Sequence, residues 1–198
     1  MHDPTLSELR REFKSHRLIA MPIAGTIAWT LVAIAGVILP TPKAALALFM
    51  LTGMIFGLAV VIGPLVGDPI IRRDRPNSEL DKMFFYTIAM ANLAWAIVIP
   101  FFLTDPTSLP LGAGILAGLM WLPMTWIIEH WVGIFHAVAR TIGIVIVHYA
   151  FPESRFVAIP LVIVAVYLVS IVALVQRHSR YLGETAGAAP AGLRSAES

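Results

Sequence analysis

Six apolar runs, each long enough to cross a lipid bilayer, follow one another along this chain. A membrane-spanning helix needs about 20 apolar residues, because an α-helix rises about 1.5 Å per residue and the hydrocarbon core is about 30 Å thick. The runs cover residues 18–39, 44–67, 83–103, 111–128, 132–151 and 156–176. The sequence therefore predicts an all-α, polytopic membrane protein with six transmembrane helices.

Composition supports a membrane protein and excludes several other classes. Apolar residues make up 58% of the chain and charged residues 13%, whereas soluble domains have about 45–50% and about 25%. The chain has no cysteine, which excludes disulfides, thiolate catalysis and Cys-ligated metal centres. The net charge is only +2, and the basic residues are spread over short loops, so nucleic acid is not an expected partner.

The basic residues between the runs predict the orientation of the chain. Cytoplasmic loops of membrane proteins carry an excess of Lys and Arg. Outside the fifth run, nearly all of these residues fall on one side of the predicted topology, namely Arg10, Arg11, Lys14, Arg17, Arg72, Arg73, Arg75, Lys82, Arg177, Arg180 and Arg194. The other side has Lys43 and Arg155. Both termini are therefore expected in the cytoplasm.

Three segments are predicted along the chain. Residues 1–17 form a basic cytoplasmic segment, in which Thr5 and Glu8 match a helix capping box and Leu6, Leu9 and Phe13 recur at helical spacing. This pattern predicts a short amphipathic helix on the membrane surface; the alternative is a solvated basic entry to the first run. Residues 18–176 form the transmembrane domain. Residues 177–198 are polar and lack the apolar mass to fold, so we expect a disordered cytoplasmic tail.

Small residues four apart predict where the helices meet, because membrane helices associate through close packing. The pairs are Gly53 with Gly57, Gly63 with Gly67, and Gly114 with Gly118. Contacts within one bundle are the favoured interpretation, and a homo-oligomer interface is the alternative.

The residues that offer chemistry lie in and beside the fifth run. Residues 111–151 would make a rod of about 60 Å if they were continuously helical, so the chain must turn, and we expect the turn around Trp131 to Gly133. His136 and Arg140 are four residues apart and share a helix face. An Arg at this depth is costly and normally faces protein or water with a partner. One interpretation is a polar cavity with Glu129 as the counter-charge and His136 as a titratable neighbour; the other is a structural Arg that snorkels to the headgroups.

Other polar residues extend this candidate solute-binding set. His130 lies beside the predicted turn, and Asn92 in the third run could line the same cavity. Glu129, His130 and His136 could also act as zinc ligands, but their spacing matches no established metal motif. No cofactor or bound metal is therefore predicted.

The six-run layout, the basic amphipathic start and the stretch from Trp121 to Arg140 resemble an uncharacterised family of bacterial six-helix inner-membrane proteins, a domain of unknown function. The similarity would cover residues 1–180. It implies a multi-pass protein of the bacterial cell inner membrane and transfers no activity.

The sequence thus favours a membrane protein that binds or transports a small solute or ion over an enzyme. The predicted site lies at the cytoplasmic end of the fourth and fifth helices. The alternative is a non-catalytic membrane scaffold or accessory subunit, and an intramembrane metal hydrolase ranks third.

Overall fold

The computed structural model describes residues 5–70, 82–83, 86–87, 89–90 and 93–187, and all regular structure within them is helical. The N-terminal half contains α1 (Leu6–Lys14), α2 (Ala20–Ile38), α3 (Thr41–Gly53) and α4 (Ile55–Leu65). After the gaps come α5 (Trp95–Thr104), α6 (Leu109–Leu119), α7 (Trp121–Ile128), α8 (Val132–Ala150) and α9 (Arg155–Gly187). Short 3₁₀ turns at Pro106–Ser108 and Pro152–Ser154 precede α6 and α9.

Four segments of the described chain are long and apolar enough to cross a membrane: α2, the α6–α7 stretch, α8 and α9. The α3–α4 pair would make a fifth, broken by a 46° bend. The short apolar helix α5 ends the predicted third run, part of which lies outside the described residues. The molecule is therefore an all-helical membrane protein whose described part contains four or five candidate spans.

The short amphipathic helix predicted at the N-terminus is present as α1. The backbone N–H of Thr5 donates to the Glu8 carboxylate at 2.7 Å, and the Thr5 side chain accepts from the Glu8 N–H. This reciprocal pair is a complete capping box, as the sequence predicted. Leu9 and Phe13 then turn toward a cluster formed by the ends of α7, α8 and α9, so α1 lies against the bundle.

The central contact of the bundle is between α2 and α9, which run in opposite directions. The Tyr167 ring of α9 fills the place where a side chain on Gly25 would stand. Near the other end of α2, Gly36 lies against the backbone of Phe156. Because glycine adds no side chain, the two helices approach closely along their length.

One end of the bundle, which we call the α1 face, contains α1, the start of α2, the α7–α8 turn and the α9 segment around Arg177. There the Arg177 guanidinium donates to the backbone carbonyl of His16. The opposite face contains the α2–α3 loop and the start of α9, where Arg155 forms an ion pair with Asp105 at 3.1 Å. Asp105 also accepts hydrogen bonds from Thr107, and these bonds and the Arg155 charge lower the pKa of Asp105.

Helix α9, which contains the sixth apolar run, is longer than the sequence predicted. It continues past residue 176 to Gly187, so the expected boundary of the polar tail falls inside a helix. At about 1.5 Å per residue, a 33-residue helix is about 50 Å long and extends well beyond a hydrocarbon core of about 30 Å. Residues 188–198 lie outside the described residues.

The helix contact predicted from the pair Gly114 and Gly118 is confirmed in α6. A side chain at Gly114 would collide with Ile144 and Ile163, and one at Gly118 would collide with Arg140. For Gly53 and Gly57 the predicted contact stays a prediction, because no described atom lies within 4 Å of a Cβ built at either position and part of the third run lies outside the described residues.

Candidate functional site

Helix α8 places His136 and Arg140 in the interior of the bundle, and both are 0% exposed. Because they are four residues apart, their side chains lie one above the other on the same face of α8. The Arg140 Nη1 atom lies 3.3 Å from the His136 Nε2 atom. A guanidinium only donates hydrogen bonds, so Nε2 of His136 must be the acceptor.

A chain of hydrogen bonds continues from His136 into α9. The His136 Nδ1 atom lies 2.9 Å from the Ser170 Oγ atom, and the Ser170 hydroxyl donates to the carbonyl of Val166 at 2.8 Å. Since Nε2 accepts, Nδ1 must donate to Ser170. Every donor in the chain therefore points away from Arg140, and His136 is held as the neutral Nδ1–H tautomer.

This geometry argues against the proton-carrying role predicted for His136. A second proton on the ring would occupy Nε2, the atom that accepts from Arg140. It would also place two cations side by side in the bundle interior, where charges interact strongly. The hydrogen bonds thus hold the His136 ring and the guanidinium in a fixed relative orientation.

Aromatic rings surround the pair. The Trp121 ring stacks on His136 with ring centroids 3.9 Å apart and an angle of 10° between the planes. The Tyr167 ring meets His136 edge-on at 4.8 Å. The Arg140 Cζ atom lies 5.4 Å from the ring centroids of both Trp29 and Tyr167. Ring faces attract a cation at this distance, so they favour the charged guanidinium.

Arg140 depends on a glycine in the facing helix. A Cβ atom at Gly118 would lie 2.9 Å from Arg140 Cδ and 3.3 Å from Nε. Any larger residue at this position would therefore displace the Arg140 side chain.

Two donor groups of Arg140 have no acceptor. The Nε and Nη2 atoms are buried, and neither has a hydrogen-bond partner among the described residues. A buried polar group without a partner costs about 1–3 kcal/mol, and a charged one costs more. The alternative of an Arg that snorkels to the headgroups does not fit these observations, because the side chain is 0% exposed.

The structure does not bring Glu129 to Arg140, which corrects the predicted counter-charge. Glu129 is exposed on the α1 face and forms ion pairs with Arg10, at 3.0 Å, and with Lys14. The Lys14 hydrogen bond and charge lower the pKa of Glu129. Its left-handed backbone, with φ of 49°, ends α7. The chain therefore turns slightly earlier than predicted, between Glu129 and Trp131.

His130 does not join the site. The His130 Nδ1 atom accepts from the backbone N–H of Val132 at 3.3 Å, at the start of α8. Asn92 lies outside the described residues. No group of three His, Asp or Glu side chains suited to a metal ion occurs in the described part of the chain, and the exposed Glu129 is separated from the buried His136.

Four members of the site were not assigned to it by sequence reasoning: Trp29, Trp121, Tyr167 and Ser170. Ser170 and Tyr167 are polar residues three apart in an apolar run, and this spacing places both on one face of α9. That signal was available in the sequence. For Trp29 the sequence contains no such signal, because its contact with Arg140 depends on how α2 lies relative to α8.

Comparisons with known proteins give a family without an assigned activity. No curated protein and no solved structure matches the sequence. A model described as a family of unknown function, DUF7010, matches residues 6–177, which include every member of the site. The family resemblance seen in the sequence is thus confirmed, and the chain belongs to the DUF7010 family.

Proposed function

We propose that this protein binds, or transports across the membrane, a small anionic solute at Arg140. The observation that carries the proposal is the buried guanidinium, whose Nε and Nη2 atoms have no acceptor among the residues that the structure describes. A bound anion would supply both the missing acceptors and the missing negative charge.

The surroundings of Arg140 support an anion from outside the chain. Among the described carboxylates, Glu129 pairs with Arg10 and Lys14, and Asp105 pairs with Arg155. The rings of Trp29 and Tyr167 favour the cation but accept no strong hydrogen bond from Nε or Nη2. His136 satisfies one nitrogen only. Within the described part of the chain, the positive charge of Arg140 therefore has a fixed orientation and no negative partner.

Interrupted helices support transport as well as binding. Substrate sites of transporters commonly lie where membrane helices are discontinuous. The α6–α7 stretch is interrupted at Met120, between Gly118 and Trp121, which both contact the site. Pro123 lacks an N–H, so it leaves the carbonyl of Leu119 without its usual helical donor. We place the entrance on the α1 face, predicted to be cytoplasmic, because Arg140 lies only about two helical turns from the start of α8 at that face.

Titration of the protein with anions tests the proposal. The wild-type protein in phosphatidylcholine nanodiscs is heated with increasing chloride or acetate, at constant ionic strength balanced by the bulky HEPES anion. Binding to the native state raises its stability by about 2.7 kcal/mol at 100 times Kd. We expect a saturable rise in Tm that Arg140→Ala abolishes and the exposed control Arg180→Ala retains. Flux of the same anions in proteoliposomes then separates transport from binding.

The opposite result would support the scaffold alternative. In that case Arg140→Ala lowers Tm by the same amount with and without anions, because the side chain only braces α8. A wild-type protein whose Tm is insensitive to every anion tested would rule out the proposal.

A further inference from the structure

We infer that the Arg140 site selects a monovalent carboxylate over a spherical anion such as chloride. The inference rests on the proposed function and adds the class of ligand. It is carried by which two of the three guanidinium nitrogens lack partners.

The free nitrogens are on one edge of the guanidinium. Nη1 is the nitrogen cis to Cδ, so the N–H of Nε and one N–H of Nη2 point in the same direction, nearly parallel. His136 occupies Nη1, and the unpartnered atoms are Nε and Nη2. The vacant edge is therefore the two-donor fork that binds both oxygens of a carboxylate.

His136 fixes the direction of that fork. Its ring is clamped between Trp121, Tyr167 and the Ser170 hydroxyl. The bond from Nη1 to this ring prevents the guanidinium from turning its Nη1 end toward a ligand. A preorganised edge favours an anion with two oxygen atoms, each of which accepts one of the two parallel hydrogen bonds. Chloride is a single atom, so both N–H groups would have to donate to the same acceptor.

The charge of the site limits the ligand to one negative charge. Arg140 is the cation there, and the described neighbours are neutral: His136, Ser170, Trp29, Trp121 and Tyr167. A divalent anion such as sulfate would leave an unpaired negative charge in an apolar interior, where the cost is large. A carboxylate carries one negative charge and therefore neutralises the single positive charge of the guanidinium.

Two sources can supply a carboxylate at this depth: a small water-soluble acid, or a fatty acid from the bilayer. Both present the same two oxygens to the fork. Acetate and octanoate distinguish them, because only octanoate partitions into the lipid.

The test compares Kd values for acetate, octanoate and chloride, obtained from Tm shifts in nanodiscs. In the wild-type protein we expect one of the carboxylates to bind about tenfold more tightly than chloride, the difference that one additional charge-assisted hydrogen bond would give. Arg140→Lys keeps the charge but loses the fork, so carboxylate and chloride should bind with similar affinity. The matched control Arg180→Lys, at an exposed position, should retain the wild-type preference.

A second variant tests the same edge without changing charge. Gly118→Ala would displace the Arg140 side chain, because its methyl group lies 2.9 Å from Cδ and 3.3 Å from Nε. The charge is kept but the direction of the fork changes, so carboxylate affinity should fall more than chloride affinity. Gly57→Ala is the matched control, since nothing described lies within 4 Å of a Cβ there, and it should change neither.

The outcomes separate the two claims. Equal affinity of the wild-type protein for carboxylates and chloride would overturn the inference and leave the proposed function standing. Preference for a carboxylate that persists in folded Arg140→Lys would also overturn it, because the fork would not be the cause. No binding of any anion to the folded wild-type protein would overturn both.

Discussion

Ser170 is the residue on which the hydrogen-bond chain of the site depends. Its hydroxyl accepts from His136 Nδ1 and donates to Val166, in its own helix. Ser170→Ala would leave a buried N–H of His136 without an acceptor, since Ser170 is 0% exposed. We expect the free energy of unfolding to fall by about 1 kcal/mol, near the range measured for membrane hydrogen bonds. Denaturation of the purified protein measures it.

Thr30→Ala provides the control for Ser170→Ala. Thr30 also donates to a carbonyl of its own helix, that of Thr26, at 2.7 Å, but it is exposed and serves no second partner in the described chain. Its removal should change stability by about 0.5 kcal/mol or less. Equal losses in the two variants would show that the bond to His136 contributes nothing.

For single residues, the sequence showed which side chains in the membrane helices are charged, but it did not show which residues they contact. Arg140 and His136 were identifiable because charged and titratable residues are rare in membrane helices. Glu129 was assigned to the wrong partner because a sequence separation of eleven residues across a turn does not show which way the turn directs a side chain. Its actual partners lie 119 and 115 residues away, in α1, at a distance no local pattern spans.

At the scale of the element, the start of α2 depends on a residue from another segment. Helix α2 begins without a side-chain cap of its own. Instead the Asp68 carboxylate accepts from the backbone N–H groups of Ile19, at 2.8 Å, and Ala20, at 3.0 Å. Asp68 is 6% exposed and follows α4, so it fastens the end of one span to the beginning of another. An acidic group at this position also complements the helix dipole.

Asp68→Ala should therefore destabilise the protein by about 1–2 kcal/mol, the usual effect of losing an N-cap. Asp68→Asn keeps a side-chain oxygen that can accept from the same N–H groups, so most of the stability should return. Denaturation midpoints of both variants, measured in the same detergent, check the prediction. Similar losses of stability in Asp68→Asn and Asp68→Ala would mean that the negative charge of Asp68, and not its hydrogen bonds to the N–H groups, stabilises the start of α2.

Element boundaries followed the apolar runs closely where each helix is regular. The run at 18–39 became α2 (Ala20–Ile38), and the run at 132–151 became α8 (Val132–Ala150). The interruptions at Met54 and Met120 were not predicted, because hydrophobicity alone does not register a change of helix axis. The length of α9 was also missed: residues 177–187 are polar, but they continue a helix that Arg177 ties to the α1 face.

At the scale of the whole molecule, the described contacts limit how the chain crosses the bundle. Asp68 lies at the α1 face beside Ile19, and Asp105 lies at the opposite face beside Arg155. The chain between them must therefore connect the two faces. The segments α2, α3–α4, α6–α7, α8 and α9 each connect them as well, so we expect six crossings and both termini on one side of the membrane.

Labelling of single cysteines tests this topology directly, because the natural chain contains none. Three exposed positions serve: Arg180→Cys on the α1 face, and Lys43→Cys and Thr104→Cys on the opposite face. In intact bacterial cells, a membrane-impermeant maleimide should label positions 43 and 104 and spare position 180, which becomes reactive in inverted vesicles. Labelling of 43 and 104 from different sides would contradict six crossings, because the chain from 44 to 103 would then cross an odd number of times. Labelling of all three from the wrong side would keep the fold and invert its orientation, which would move the entrance on the α1 face to the outside of the cell.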